Sequence, residues 1–364
     1  MNKIRSKKIS SHLGSFLKVL TQPQRNYFLV YAVGLIWLVK FRSIREIAAH
    51  FGKANTDGLH HFLKNAPPIV SKLQDELQGF CQAMLMGVQD ALLILDDTLA
   101  PRNGKHIQGL GLHHASRQGL TKGLCAVTAI LKAGTLSLVF TLRGYKPRKV
   151  CAPGAFKSKV ELALKILQEA FLLFPRGLTV AMDTWYACAP ILNTIQEAGG
   201  IFVAALKRNR YVFLNRVKIS VSLLAKGRMV YKRVRVSKKK YFRIASSIVW
   251  LPQVGQVKLF ISRRESDYRF FVANNLEMTE SEMVRIYTQR FWIEVFHKDI
   301  KQHLGFGKMF MRSWEGVQTH WTILAIAYNL VSLSSKPRLK SFRQKIRHFR
   351  NTVDPNMILN YSKT

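Results

Sequence analysis

The chain has 364 residues, with 57 Lys+Arg against 20 Asp+Glu and a formal net charge of +37. At 48% hydrophobic residues it can bury a sizeable core, which excludes wholesale disorder, and its length suggests roughly two or three domains. So basic a chain repels itself unless a polyanion neutralises it, which makes nucleic acid the default partner and an anionic membrane surface the competitor.

The start, Met1 to Lys8, is basic, but no 7–15-residue apolar stretch with a small-residue cleavage site follows it. The longest apolar run, Tyr27 to Val39, is shorter than the roughly 20 residues that cross a bilayer. Cys81, Cys125, Cys151 and Cys188 are scattered, with no C-x-x-C pair, which argues against structural zinc and a disulfide framework. These features describe a reduced, intracellular, polyanion-binding protein without a membrane span.

Residues 1–90 read as a helical domain. Ser43 is a good N-cap for Ile44 onward, Glu46 completes a capping box and Gly52 is a plausible C-cap. A polar turn over 53–57 and a second helix over 58–64 make a helix-turn-helix candidate for DNA binding. Two ordinary core helices fit the same pattern.

From Ala91 the period changes. The apolar run Ala91–Leu95 reads as a buried strand ending in Asp96-Asp97-Thr98, and strand-like runs follow over 123–131 and 135–142. A helix is predicted over 158–171, a buried strand over 178–182 ending at Asp183, and a helix to Glu197. Strands interleaved with helices argue for an α/β core. Residues 198–264 then carry 17 Lys+Arg and no acid, and read as a basic β-rich insertion with strands over 201–206, 229–236, 241–250 and 257–261. A run of 67 residues without a counter-charge points to a phosphate-facing surface more than to an ordinary solvated face. A long helix is predicted from Met278 to about His303, ended by Gly305, and an apolar helix over 317–333. The tail over 336–350 has seven Lys/Arg in 15 residues and no acid. The implied division is 1–90, 91–197, 198–264, 265–335 and 336–364.

On the helix from Met278, Tyr287, Arg290, Glu294 and Lys301 share about 60° of arc at 100° per residue, with Lys298 beside them. The rest of the circumference is apolar, so this stripe faces a cleft or pairs internally; an Arg290–Glu294 ion pair at i,i+4 accounts for part of it. Asp96-Asp97 and Asp183 follow buried strands, where a carboxylate is costly unless it is paired or holds a cation. Strand-end carboxylates are also turn formers and N-caps. Two acidic strand ends and a glutamate on a late helix can nonetheless converge beyond the sheet, where open α/β folds bind ligands. All-oxygen ligation selects Mg²⁺ or Mn²⁺, and two such ions would activate a water or 3′-hydroxyl and stabilise the leaving oxygen.

These residues carry a resemblance. Asp…Asp…Glu with the glutamate inside Tyr-x₂-Arg-x₃-Glu-x₆-Lys resembles the DDE transposases of bacterial insertion sequences, of the IS-four type. The signature reads Tyr287-Thr288-Gln289-Arg290-Phe291-Trp292-Ile293-Glu294 and on to Lys301, with Leu95-Asp96-Asp97-Thr98, Asn103-Gly104-Lys105, Phe156-Lys157-Ser158-Lys159 and Asp183-Thr184-Trp185-Tyr186 in support. It spans roughly residues 40–330. The resemblance implies an RNase H-like catalytic core, interrupted by a β-rich insertion and preceded by the helical domain. It implies metal-dependent cleavage and strand transfer at transposon ends, through a hairpin intermediate. Asp97, Asp183 and Glu294 would hold two Mg²⁺ or Mn²⁺ ions; Tyr287, Arg290, Lys298 and Lys301 would contact DNA. The partners implied are double-stranded DNA, as terminal inverted repeats and target, and a second copy in a synaptic homodimer, in a bacterial cytoplasm at the nucleoid.

Asp96 and Asp97 are adjacent and point to opposite faces of a strand, so only one reaches the metals; Asp97 is favoured because Thr98 follows it directly. Trp250, the only tryptophan of the insertion, either fills a small β-core or stacks on an unpaired base. A nuclease on the same core without joining activity, a non-catalytic DNA-binding relative and a membrane-surface protein are the rival readings. Gly109-Leu110-Gly111 and Gly104-Lys105 lack the spacing of dinucleotide and P-loop motifs, so no ATP is implied.

Overall fold

A computed structural model of the chain describes residues 12–39, 43–64, 67–88, 90–115, 119–175, 177–227, 229–237, 240–265, 267–308, 311–334, 339 and 341–363. The basic start and positions 336–338 and 340 of the tail lie outside the described residues. The fold is mixed α/β. Its strands belong to a large mixed sheet: β1 (Leu92–Pro101), β2 (Gly111–Ala115), β3 (Gly119–Ala133), β4 (Leu136–Tyr145), β5 (Thr179–Met182), β6 (Ile201–Leu206), β7 (Tyr211–Leu214), β8 (Val217–Ser220), β9 (Lys232–Ser237), β10 (Lys240–Leu251), β11 (Gly255–Arg264) and β12 (Asp267–Ala273). Two compact units divide the chain, one of Met1–Gly87, Asp97–Leu162 and Val295–Thr364, the other of Val88–Asp96 and Ala163–Glu294.

In the first unit, helices Gln22–Trp37, Ile44–Phe51, Thr56–Lys64 and Pro67–Met84 make up the N-terminal part. The Ser43 side chain accepts from the Glu46 amide at 3.2 Å, and Gly52 ends that helix in the left-handed conformation at φ 62. The next helix is capped by Asn55, whose Oδ1 accepts from the Gly58 amide at 2.6 Å. The strands β3 and β4 form a hairpin from Cys125↔Tyr145 to Ala133↔Leu136. Helix Trp314–Leu333 is buried on nearly every side. A buried amide is stable there because Asn329 clasps β4, accepting from the Val139 amide at 2.7 Å and donating to its carbonyl at 3.0 Å. The basic helix Phe342–Thr352 buries Phe342, Ile346 and Phe349.

In the second unit the first half of β1, β5 and β6 run parallel, with Leu92↔Thr179 and Thr179↔Ile201 in register. Their near-continuous Val, Ala, Leu and Phe suits strands buried on both faces. The order then continues β6-β12-β11-β10-β7-β8, with β9 on β10. Val203, Phe260, Phe271, Met283 and Val284 form one core that seats helix Glu280–Gln289 on the sheet.

The sequence expectation lacked β2, β12 and the helix Val221–Lys226, and three further differences bear on the site. β1 does not stop at the acidic pair but runs on to Pro101, because Thr98 and Ala100 alternate inward and both carboxylates find cations. A β7–β8 hairpin was not foreseen: Asn215 and Arg216 form its two-residue loop at φ 49 and 67, the positive values such a turn demands, without the glycine that usually announces it. The long helix is interrupted. Glu280–Gln289 ends at Arg290, whose amide bonds the Tyr287 carbonyl, helix Phe291–Asp299 follows, and a wider turn over Ile300–Leu304 closes at Gly305, φ 77. A uniform 100° per residue therefore does not carry from Tyr287 to Lys301.

Candidate active site

Asp96, Asp183, Tyr287, Arg290 and Glu294 all belong to the second unit. Arg290 sits at the interruption between the two helices, and its guanidinium meets Asp96 at 3.1 Å and pairs with Glu294 one turn on. Asp96 and Arg290 are largely buried, at 18% and 17% side-chain exposure, whereas Glu294 is half exposed at 47%. Burial works against the Arg290 charge, but Tyr287, Asp96 and Glu294 together raise its affinity for the proton, so the guanidinium is firmly charged. Tyr287 is held by its ring against Phe271, with centroids 4.4 Å apart. Burial raises its phenol pKa, Arg290 lowers it, and the charges of Asp183 and Asp96 raise it further, which places all four groups in one electrostatic neighbourhood. Asp183 follows β5 directly, and its Oδ1 accepts from the amides of Trp185 at 2.9 Å and Tyr186 at 3.3 Å, shaping the turn.

Asp97, Lys298 and Lys301 belong to the first unit. Asp97 forms an ion pair with Lys159 at 2.7 Å and accepts from the Cys125 thiol at 3.5 Å. Burial, then the Asp97 charge, pushes the Cys125 thiol up to about 12, so it is an inert donor and not a thiolate. Lys301 is lowered by burial. Lys298 is exposed. The structure thus brings Tyr287, Arg290 and Glu294 together with Asp183 and Asp96. It gives Asp97, the carboxylate favoured from the sequence, a lysine from the Phe156–Lys159 segment instead. The Thr98 that motivated the choice of Asp97 is buried and does not decide between them.

Trp250 does not fill a β-core. It is 56% exposed and lines a cleft with Phe213, Arg216 and Ile248, so the core-filling alternative is corrected. The hairpin that supplies Phe213 and Arg216 was missing from the sequence reading, and Asn215-Arg216 between two short apolar runs was its signal.

The carboxylates offer hard oxygen donors suited to Mg²⁺ or Mn²⁺. Among the described residues no three ligating side chains stand close enough to share one ion. The donor chemistry fits a divalent cation, and Arg290 already supplies positive charge between two of the donors.

Asp96, Asp183 and the Tyr287–Arg290–Glu294 group thus share one unit of a strongly basic mixed α/β chain. Residues 150–330 match the family model described as a transposase DDE domain, a span that includes Asp183 and the whole Tyr287–Lys301 signature. The chain is also 24% identical over 281 residues to a protein of Microchaete diplosiphon described as a probable transposase for insertion sequence element IS701, covering 75% of this chain and 73% of that protein. Both matches support one recognition: a bacterial insertion-sequence DDE transposase. Among the described residues no helix is long and apolar enough to cross a membrane.

Proposed function

We propose that the chain cuts and joins DNA at the ends of an insertion sequence: metal-dependent cleavage excises the element through a hairpin intermediate, and strand transfer then joins the freed ends to target DNA. The observation that carries this reading is the Arg290 clasp on Asp96 and Glu294 beside Tyr287 and Asp183. A permanently charged fork held among carboxylates fits a phosphate once those carboxylates turn to a cation. Asp97, Asp183 and Glu294 are the proposed ligands, and bound Mg²⁺ or Mn²⁺, as two ions, would activate the attacking oxygen and neutralise the leaving one. Tyr287, Arg290, Lys298 and Lys301 then orient the scissile phosphate. A second reading puts Asp96 in place of Asp97, favoured by its 3.1 Å contact with Arg290 and its membership of the same unit as Asp183 and Glu294.

In this proposal β1, β3, β4 and β5 with their helices form an RNase H-like core, and β6, at the start of the insertion, continues its parallel strands. Its support is the pairing of β1 with β5 and of β5 with β6 in parallel, and the β3–β4 hairpin in the first unit. Residues 198–264 are the basic insertion, 1–90 and 336–364 are further DNA-binding segments, and 91–197 with 265–335 form the core. The partners are terminal inverted repeats, target DNA and a second copy in the synapse, at the bacterial nucleoid.

A plasmid excision assay tests the reading, with the DNA flanking the gene as transposon ends and wild type compared with Asp183→Asn. Mg²⁺-dependent release of the flanked segment by wild type alone is the expected result. Cleavage without joining would make the chain a nuclease, and tight DNA binding with no cleavage a non-catalytic relative.

A further inference from the structure

From Arg143 to Lys159 the chain carries six Lys/Arg and no acid. The last of these cations, Lys159, takes the first position of helix Lys159–Leu173. Its backbone is fixed there by a capping box, in which the Glu161 amide donates to Ser158 Oγ at 3.2 Å and the Ser158 amide to the Glu161 carboxylate at 2.7 Å. A helix start carries partial positive charge and disfavours a lysine. The sequence sets one there nonetheless and largely buries it, at 17% side-chain exposure, with the ammonium 5.5 Å from the Tyr145 ring centre. The carboxylate that balances it comes from β1: Asp97 Oδ2 accepts from Lys159 at 2.7 Å, and the Cys125 thiol donates to the same oxygen. Lys159, Asp97, Cys125 and Tyr145 all belong to the first unit. A cation bound at this carboxylate would stand within a few Å of the ammonium, where two positive charges repel strongly in so poorly hydrated a place. Lysine carries its charge on a flexible four-carbon stem, so the ammonium can leave Asp97 while its backbone stays capped.

We infer that Lys159 is an exchangeable counter-charge: it closes on Asp97 in the metal-free chain and swings to a DNA phosphate when Asp97 turns to a divalent cation. No acid in its own segment competes for the freed ammonium, and the helix start beside it favours an anion. The exchange makes metal and DNA each strengthen the binding of the other, because a phosphate that draws Lys159 away leaves Asp97 ready for the cation. The inference rests on the proposal above that Asp97 is a metal ligand.

Two measurements on the full chain test it, neither of them catalytic. The first is Mn²⁺ binding without DNA, followed by the paramagnetic resonance signal of free Mn²⁺. Lys159→Met should tighten it by roughly tenfold, within the range usual for coupled sites, because the competing charge is gone. Lys159→Arg should stay near wild type, and Lys157→Met, which removes an exposed charge two residues away, should change nothing. Asp97→Asn, alone or with Lys159→Met, should weaken Mn²⁺ binding. The second measurement is the salt dependence of binding to a duplex of the flanking DNA, in chelator. Asp97→Asn releases Lys159 without any metal and should steepen the slope by about 0.9, the value of one phosphate, and adding Lys159→Met should restore the wild-type slope. Mn²⁺ binding unchanged or weaker in Lys159→Met, or a wild-type slope in Asp97→Asn, would overturn the exchange and leave Asp97 as a ligand. Should Lys159→Met fail to fold, the Asp97→Asn slope decides alone. Mn²⁺ binding indifferent to Asp97→Asn would remove Asp97 from the ligands, and the inference with it.

Discussion

The Arg290–Asp96 contact makes a prediction that needs neither DNA nor metal. At 3.1 Å and an effective dielectric of about 20, the two charges attract by roughly 5 kcal/mol before desolvation. Both side chains are more than four-fifths buried, so removing water from them cancels much of that gain without erasing it. The net coupling expected is about 1–3 kcal/mol. Arg290→Met should lower the free energy of unfolding by about 2 kcal/mol, because it strips the guanidinium from two carboxylates. Asp96→Asn should cost less, and the double variant little more than Arg290→Met. The measurement is a double-mutant cycle in urea with chelator present, followed by tryptophan fluorescence. The matching cycle of Arg290→Met with Asp97→Asn should close to within about 0.5 kcal/mol, since the contact partner of Asp97 is Lys159. Equal coupling in the two cycles, or none with Asp96, would refute the assignment of the two strand faces.

Glu294→Gln should abolish Mg²⁺-dependent cleavage while leaving DNA binding near wild type, because the side chain is half exposed and its loss removes no buried packing; a gel-shift assay showing lost binding would make the residue structural. Burial raises the Asp299 carboxyl from 3.8 to about 6, against the opposing pull of Lys298 and Lys345, and Tyr328 faces it too. Its contribution to stability is therefore full below about pH 4 and is lost as pH rises through about 6. Asp299→Asn should flatten that part of the stability–pH curve, and an unchanged curve would exclude the group. Trp250→Ala should leave the melting temperature within about 2 °C of wild type, because an exposed ring contributes under about 0.5 kcal/mol to folding; a larger drop would restore the core-filling role.

Much of the fold could be read in advance because its signals are local. The run Leu92–Leu95 and the run Thr179–Met182 are apolar enough to identify buried strands, and the Ser43 hydroxyl and the missing side chain of Gly52 bound their helix. The β7–β8 hairpin escaped because Asn215-Arg216 adopts two positive φ values without the glycine that usually marks such a turn. The interruption at Arg290 escaped for a related reason. Nothing in Thr288-Gln289-Arg290-Phe291 breaks a helix by propensity, and it is the guanidinium's bond to a residue 194 positions away that coincides with the break.

The same distinction governs the acidic pair. Strand alternation alone told that Asp96 and Asp97 face opposite ways; it carried no information about what waits on each side. One face supplies Arg290 and the other Lys159, partners 194 and 62 residues distant, and each cation makes its carboxylate tolerable in mid-strand. Stability and activity should therefore separate at this pair. The carboxylate that ligates metal loses cleavage when made neutral, by a factor far beyond its effect on folding, whereas the other loses folding free energy of about 1–2 kcal/mol and keeps most of its cleavage. Asp96→Asn and Asp97→Asn, assayed side by side for excision and for urea unfolding, should give opposite profiles. Retained excision in Asp96→Asn selects Asp97 as the ligand, retained excision in Asp97→Asn selects Asp96, and equal losses in both assays would mean that neither face of β1 is dedicated to catalysis.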